Sequence, residues 1–404
     1  MPMKDILLKI LKISAKTLAT VLLVLVFILC ISSLSPVYRF PEARPFSGPD
    51  IFNPYSRLDS AYCWKRANFH THTRVDGIFN ECEYSPMETY GALAAFGYDI
   101  VTFSNHNELT VHPFDPALQV NVYEHGYNLF KYHKLVFGSD KVNRFDNMLP
   151  LFAFQKQFQL DLLNRDCDLI QINHPYRTGG TSPRQMERLS GYRIMELDSG
   201  ISTEQEYWDW ALSAGHYSFG LANDDLHYPD RSGKIAVRCN FLCCPSASYE
   251  DIKQCLLGGC YYSMRVPDYG NGDWETKYAK NLELPRVEDI GLKHDTVYLR
   301  LSEVADSIKV TGSGHSTLAM ALGSKDLEYK MGKDEPYARM TAYFPEGEVI
   351  YTNPFARYDA SVADSPYSES EHPVNLPMTI LFNLMVLALS AFMIYLTYLL
   401  FVKK

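Results

Sequence analysis

Two uncharged, apolar segments near the ends of the chain are the longest features in its pattern of hydrophobic and polar positions. Residues 17–38 follow four lysines, and residues 373–402 precede two lysines. Because about 20 apolar residues in a helix cross the hydrocarbon layer, both segments are predicted to be transmembrane helices. Lysines favour the cytoplasmic side, so both termini are predicted to be cytoplasmic and residues 40–370 extracytoplasmic, at the cell membrane. The alternatives are a cleaved signal peptide for the first segment and a buried core helix for the second.

Between these segments, short apolar stretches of strand length alternate with segments of helical length. The predicted strands are 99–104, 168–173, 192–198, 217–224 and 234–243. The predicted helices are 85–97, 182–191, 203–215 and 248–258. Ser85 and Ser182 each begin a capping box, with proline at the first helical position. Such alternation predicts an α/β fold with a parallel sheet or barrel, whose functional side chains lie at the carboxyl ends of the strands.

After residue 265 the pattern changes to alternating apolar positions such as Val297, Leu299 and Leu301, with a hairpin at 343–350. This alternation predicts a small β-rich domain. The predicted organisation is a basic segment (1–16), a transmembrane helix (17–38), a proline-rich linker (39–60), an α/β domain (61–265), a β-rich domain (266–358), a polar spacer (359–372) and a second transmembrane helix (373–402).

Composition excludes several classes of protein. The chain of 404 residues is 47% hydrophobic and 21% charged, which allows a sizeable core and excludes wholesale disorder. Its net charge of -9 argues against nucleic acid as a stable partner. Nine cysteines are too few for a disulfide scaffold, and their spacing excludes a zinc ribbon. Cysteines at 239, 243, 244, 255 and 260 are close enough in sequence to pair, and the sequence leaves open whether they do.

Histidines and carboxylates recur where the predicted strands end. His70 and His72 are two residues apart, which places both on one side of a strand. The other candidates at strand ends or beside the segment 123–138 are His106, Glu124, His133, His174, Glu196, Asp225 and His227. Glu196 is expected either to bind metal or to orient a ligand histidine. Imidazole and carboxylate ligands without thiolate suit Zn, Mn or Fe, and their number exceeds the need of one ion. Two or three ions would bridge a water and lower its pKa.

Five motifs in order carry a resemblance to a known family. They are FHTHT followed by Asp76-Gly77, GYDIVTFSNHN, VYEHGYNLFKYH, INHPYR and NDDLH. These motifs resemble those of the PHP (polymerase and histidinol phosphatase) superfamily of metal-dependent hydrolases, over residues 66–265. The C-terminal part ending in IYTNPF resembles a membrane-anchored or secreted subgroup that includes carbaryl hydrolase-like proteins. The resemblance implies a distorted (β/α)7 barrel followed by the small β domain, with a transmembrane helix at each end.

The resemblance also implies a ligand set for two or three divalent ions per chain. By position these ligands are His70, His72, Asp76, His106, Glu124, His133, His174, Asp225 and His227. The sequence departs from the family at two positions. The spacing between the second histidine and Asp76 is one residue short, so Asp76 is expected either to bind metal or to be displaced from a ligand role, and Asn105 stands where an aspartate is expected.

The predicted function is a membrane-anchored phosphoesterase, with Asp225, His227 and Arg177 as catalytic residues. Arg74, Arg177 and Arg231 each follow a ligand motif, so they are candidates to bind a phosphate or carboxylate of a small anionic substrate, or to form ordinary salt bridges. Hydrolysis of an ester, amide or carbamate is the alternative reaction. A non-catalytic metal-containing module that binds a ligand is the alternative class, and Asn105 favours it.

Overall fold

The computed structural model describes residues 2–59, 64–77, 80–200, 205–369 and 372–401. Its helices are α1 (Met3–Ser32), α2 (Pro86–Ala94), α3 (Ala153–Leu163), α4 (Pro183–Met186), α5 (Gln205–Ser213), α6 (Tyr249–Gly258), α7 (Trp274–Leu282) and α8 (Leu376–Phe401). Its strands are β1 (Asp50–Phe52), β2 (Trp64–Asn68), β3 (Ile100–Val101), β4 (Val122–His125), β5 (Lys134–Phe137), β6 (Leu169–Ile172), β7 (Ile194–Asp198), β8 (Phe219–Ala222), β9 (Arg238–Cys243), β10 (Tyr261–Arg265), β11 (Val287–Lys293), β12 (Thr296–Gly312), β13 (Ser316–Lys330), β14 (Tyr337–Tyr343), β15 (Val349–Thr352) and β16 (Phe355–Tyr358).

The strands form two sheets rather than one closed barrel. One sheet has the order β4-β5-β6-β7-β8, antiparallel from β4 to β6 and parallel from β6 to β8. In the other sheet, β3, β2, β9 and β10 lead into β15 and the rest of the C-terminal strands. The predicted mixed α/β class is confirmed. Barrel closure is not seen among the described residues, where only isolated bridges, His106 to Glu124 and Thr71 to Leu226, join the sheet edges.

The C-terminal strands continue the sheet of the α/β part. β10 pairs with β15 in antiparallel register, from Tyr262 opposite Thr352 to Arg265 opposite Val349. A buried ion pair between Asp209 of α5 and Arg339 of β14 adds a second connection. The residues from 266 to 358 are β-rich, as predicted, because they contain strands β11–β16. The division of the chain into separate domains stays a prediction.

Local sequence signals explain several helix ends. The Ser85 hydroxyl accepts from the Glu88 amide and the Glu88 carboxylate accepts from the Ser85 amide, so the predicted capping box starts α2. Ser248 caps α6, which ends at Gly259. Gly259 has φ +81°, and a Cβ there would lie 2.2 Å from the Phe219 ring. Only glycine suits both the left-handed backbone and this close approach.

Other predicted elements differ in length. The strand predicted at 99–104 is only Ile100–Val101, and the helix predicted at 182–191 is only Pro183–Met186. Helices α3 and α7 were not predicted. The apolar positions of α3 lack a clear helical period, whereas α7 is amphipathic and has an N-cap at Asp273 that could have marked its start. Residues 201–204, in the predicted helix 203–215, lie outside the described residues.

The two apolar helices lie side by side. The amide of Ser35 donates to Oδ1 of Asn383 at 3.2 Å, and the amide of Val37 donates to Oγ1 of Thr379 at 2.9 Å. Both helices are long and apolar enough to cross a membrane. They are therefore candidate membrane spans, although α1 begins well before residue 17. The eight described cysteines form no disulfide bond, so no pairing is seen among residues 239–260.

Candidate metal centre

The segments FHTHT and NDDLH, which are the first and last of the five motifs, lie side by side because their backbones are hydrogen-bonded to each other. The His72 amide donates to the Leu226 carbonyl at 2.8 Å, and the Leu226 amide donates to the His70 carbonyl at 3.2 Å. This pairing continues β2 alongside the segment after β8 and brings Asp225 and His227 next to the two histidines. The rings of His72 and His227 stack with their centroids 4.1 Å apart.

A first group of ligand atoms surrounds one point. Nε2 of His70 and Nε2 of His72 each lie 3.3 Å from Oε2 of Glu124. The same nitrogens lie 3.1 and 3.2 Å from Oδ1 of Asp225. Both nitrogens are buried and neither makes a hydrogen bond. Two ligands of one zinc ion, each about 2.1 Å from it, are separated by roughly this distance. These four residues therefore fit a shared divalent ion.

A second group of imidazoles contacts the same carboxylate: two of them face its other oxygen, Oε1, while His106 faces the oxygen that the first group also faces. Oε1 of Glu124 lies 3.1 Å from Nδ1 of His133 and 3.2 Å from Nε2 of His174. Nε2 of His106 lies 3.2 Å from Oε2. His106, Glu124 and His133 are close enough to share an ion. Because the two oxygens of Glu124 face different imidazoles, this side chain is placed to bridge two ions.

The structure adds Glu81 to the cluster and leaves Asp76 outside it. Oε2 of Glu81 lies 3.2 Å from Nε2 of both His106 and His227. Asp76 is exposed and, within the described part of the chain, makes no ion pair with these histidines. Asp76 lies in a bend at the surface, and Glu81 rather than Asp76 contacts the histidines. Glu81 lies in an irregular segment, and no sequence motif marks it.

Glu196 lies behind the ligand atoms rather than among them. Its Oε1 is 2.9 Å from Nδ1 of His70, and its Oε2 accepts from the His174 amide at 2.9 Å. A proton on Nδ1 of His70 leaves Nε2 free to bind metal. Of the two roles predicted for Glu196, the geometry therefore matches orientation of a ligand histidine.

Asn105 has a structural environment that explains its amide. Its Oδ1 accepts from the Thr73 amide at 2.7 Å, and its Nδ2 donates at 2.7 Å to the hydroxyls of Thr73 and Thr110. The side chain holds the backbone just after His72. An aspartate at this position could not donate to these hydroxyls and would instead accept from them.

The imidazoles keep the central carboxylates ionised. Burial alone would raise the pKa of Glu124, but His70, His106 and His133 outweigh it and hold this pKa well below its usual range. Burial would also raise the pKa of Asp225, but positively charged neighbours, His70 foremost, outweigh it and hold this pKa well below its usual range. Burial lowers the pKa of His174 to about 3, so this imidazole is neutral and able to bind metal.

The backbone is strained at two of these residues. His174 has φ +26° and Asp225 has φ +48°, a region that non-glycine residues rarely adopt. Such strain persists only where the surroundings enforce it, and it concentrates at functional sites. Both residues also lie at ends of strands, where the sequence predicted the site.

A cavity of about 710 Å³ opens above the cluster. Arg177 lines it and donates from Nη2 to Oδ2 of Asp225 at 2.5 Å. Lys131 and Lys234, which the sequence reasoning missed, also line it. Of the other candidate arginines, Arg231 stacks on the Tyr228 ring at 3.9 Å and Arg74 is exposed, and neither lines the cavity.

Fold and site together define a mixed α/β protein with a buried histidine and carboxylate cluster able to bind divalent metal. No family model matches the chain, and no curated protein matches it. Among solved structures, the chain is similar to a two-domain protein from Bacteroides vulgatus, described as containing a predicted PHP-like metal-dependent phosphoesterase. The two are 15% identical, with a TM-score of 0.37, over 79% of this chain and 99% of that chain. A likeness this low carries no argument about function.

Proposed function

We propose that this protein is a metal-dependent hydrolase, and that its substrate is a phosphoester. The observation that carries the proposal is the position of Glu124, whose Oε2 faces His70, His72 and His106 and whose Oε1 faces His133 and His174, all at 3.1–3.3 Å. A carboxylate in this position is suited to hold two ions close together. Divalent ions held in this way activate a water and neutralise charge on a transferring phosphoryl group.

The ligand set supports two ions, with Glu81 and His227 available for a third. His70, His72 and Asp225 would hold the first ion with Glu124. The second group consists of His106, His133 and His174, again with Glu124. Nitrogen and oxygen donors of this kind suit Zn, Mn or Fe.

Positive side chains in the cavity support an anionic substrate. Arg177, Lys131 and Lys234 line the cavity above the buried cluster. The planar guanidinium of Arg177 can bind two phosphate oxygens at once. Its contact with Asp225 fixes the guanidinium beside the first group of ligands. Arg177 would therefore bind and orient the substrate, while His227, which is partly exposed in the cavity, would hold the third ion together with Glu81.

We further propose that the protein is anchored in the cell membrane by α1 and α8, with both termini cytoplasmic. The lysines before residue 17 and after residue 402 support this orientation. Protease added to intact cells, with any outer membrane opened, is expected to digest the central part of the chain. Protection of that part while a C-terminal tag is cleaved would contradict the orientation.

The catalytic proposal is tested by variants at the first group of ligands. His72→Ala and Asp225→Ala are expected to lose bound metal and hydrolysis of p-nitrophenyl phosphate and bis(p-nitrophenyl) phosphate together, while circular dichroism stays unchanged. His216→Ala is the matched control, because His216 bonds the Glu187 carbonyl away from the cluster. Full metal content in both ligand variants would refute the proposal. Metal binding without hydrolysis in the wild type would favour a non-catalytic module.

A further inference from the structure

One wall of the metal cavity is hydrogen-bonded to the end of an apolar helix. Residues 126–128 and Lys131 line the cavity, and Leu129 between them, which does not line it, donates from its amide to the Met148 carbonyl at 3.0 Å. The Met148 amide in turn donates to Oγ of Ser32, the last residue of α1, at 3.3 Å. Two hydrogen bonds therefore separate the cavity wall from the end of this helix.

The same region also contacts the second apolar helix. The rings of Phe152 and Phe154 lie 6.3 and 5.1 Å, between centroids, from the ring of Phe382 in α8. Phe382 is six residues after Leu376, the start of α8, which places it about 9 Å along the helix at 1.5 Å per residue. The two phenylalanines therefore lie beside the apolar length of α8 rather than beyond its end.

The surface around these contacts is apolar and exposed. Leu129 is 60% exposed, Leu151 and Phe152 are each 49% exposed, and Phe145 is 38% exposed. We call these four side chains the apolar rim. Phe152 of the rim contacts α8, Leu129 is connected through Met148 to the end of α1, and both helices are candidate membrane spans. Exposed apolar side chains beside such helices are typical of membrane contacts. The bilayer is therefore the occupant that the rim fits.

The cavity beside the rim has the charge that a lipid headgroup requires. Lys131 is exposed two residues after Leu129 and lines the cavity. Basic side chains near a membrane surface attract anionic headgroups. An amphiphile with its acyl chains in the bilayer would present its headgroup between the apolar rim and the cluster.

We propose that the substrate is a phosphoester carried by a membrane lipid. This inference rests on the proposed function and on the membrane anchoring. In the reaction, the oxygen of water bonds to phosphorus, the P–O bond to the leaving alcohol breaks, and that alcohol takes up a proton. The acyl chains stay in the bilayer throughout, so the lipid need not be extracted.

The test compares a lipid and a soluble ester on the same metal-loaded, full-length protein. The protein is reconstituted in phosphatidylcholine vesicles that contain phosphatidic acid or phosphatidylglycerol, and p-nitrophenyl phosphate and its bis-ester serve as soluble probes. Wild type is expected to hydrolyse at least one of the two anionic lipids. Leu129→Ser and Phe152→Ser are each expected to lower that rate about tenfold, since each removes part of a large apolar contact, and to leave soluble turnover unchanged.

Leu322→Ser is the matched control, because Leu322 is 74% exposed on β13, outside the apolar rim. It is expected to change neither rate. Hydrolysis of the soluble esters without hydrolysis of either lipid would overturn the lipid proposal and leave the proposed function standing. Equal loss of both rates in the two rim variants would also overturn it. Absence of all hydrolysis by the metal-loaded protein would overturn both proposals.

Discussion

The substitution Glu196→Gln tests whether the Glu196 carboxylate orients His70, one of the first group of ligands, for metal binding. Oε2 of this carboxylate accepts from the His174 amide at 2.9 Å, and Oε1 accepts from Nδ1 of His70 at 2.9 Å and from the side-chain amides of Gln171 and Asn223 at 3.4 and 3.3 Å. Glutamine has the same shape but only one accepting oxygen. If its NH₂ replaces Oε1, it opposes the amide donors of Gln171 and Asn223, and the His70 imidazole must place its proton on Nε2, the atom that would bind metal. If its NH₂ faces the His174 amide, two donors oppose each other in a buried site.

Both arrangements have a similar cost. A buried donor left unsatisfied costs about 1–3 kcal/mol, and loss of a carboxylate that orients a ligand histidine weakens metal binding by about 10–100-fold. At about 1.4 kcal/mol per tenfold, the two estimates agree. We therefore expect Glu196→Gln to bind the first ion about 10–100-fold more weakly and to leave the second ion, which uses His106 and His133, less affected.

The assay is competition between the apoprotein and a chromophoric chelator, with zinc as the titrant. Glu348→Gln is the matched control, because Glu348 is also a buried glutamate. Its carboxylate accepts from the Tyr269 hydroxyl and belongs to neither group of ligands. The control is expected to bind zinc as the wild type does. Unchanged affinity in Glu196→Gln, or equal weakening in both variants, would refute the role assigned to Glu196.

Three further substitutions probe other parts of the molecule. Arg177→Ala is expected to raise KM about tenfold with metal content unchanged, because it removes one charge-assisted phosphate contact. Loss of metal in this variant would instead indicate that Arg177 holds Asp225 in position. Glu81→Gln is expected to lower the number of bound ions without removing the first, and an unchanged ion count by mass spectrometry would exclude Glu81 as a ligand. A hydrogen bond to Asp209 raises the pKa of His315, so its stabilising effect is present below pH 6.5 and lost as pH rises through the raised value. Thermal unfolding of His315→Gln should therefore vary less with pH than that of wild type, and identical pH profiles would contradict this.

The sequence predicted the part of the site that lies at strand ends. Spacing of two residues brought His70 and His72 to one side, and the same spacing brought Asp225 and His227 together. Strand periodicity could not predict Glu81, which lies in an irregular segment. It also could not predict that Asn105 bonds two threonine hydroxyls, because those contacts depend on how the chain turns after His72.

The sheet arrangement was less predictable than the elements. The alternation of strands and helices indicated a parallel sheet, but β4 and β5 form an antiparallel pair around the third motif. The segment between them has no short hairpin signal such as Asn-Gly. The pairing of β10 with β15 joins residues nearly ninety positions apart, and local periodicity carries no information on such contacts. Local capping signals at Ser85 and Ser182, by contrast, predicted the helix starts correctly.

The most direct test of the central claim is the number of metal ions bound by the full-length protein. Purified wild type, reconstituted with zinc or manganese and freed of excess ion, would be analysed by mass spectrometry beside Glu124→Gln. The account predicts at least two ions per chain in the wild type, with loss of ions in the variant because both groups of ligands share Glu124. Fewer than one ion per wild-type chain, or the same content in both proteins, would contradict it.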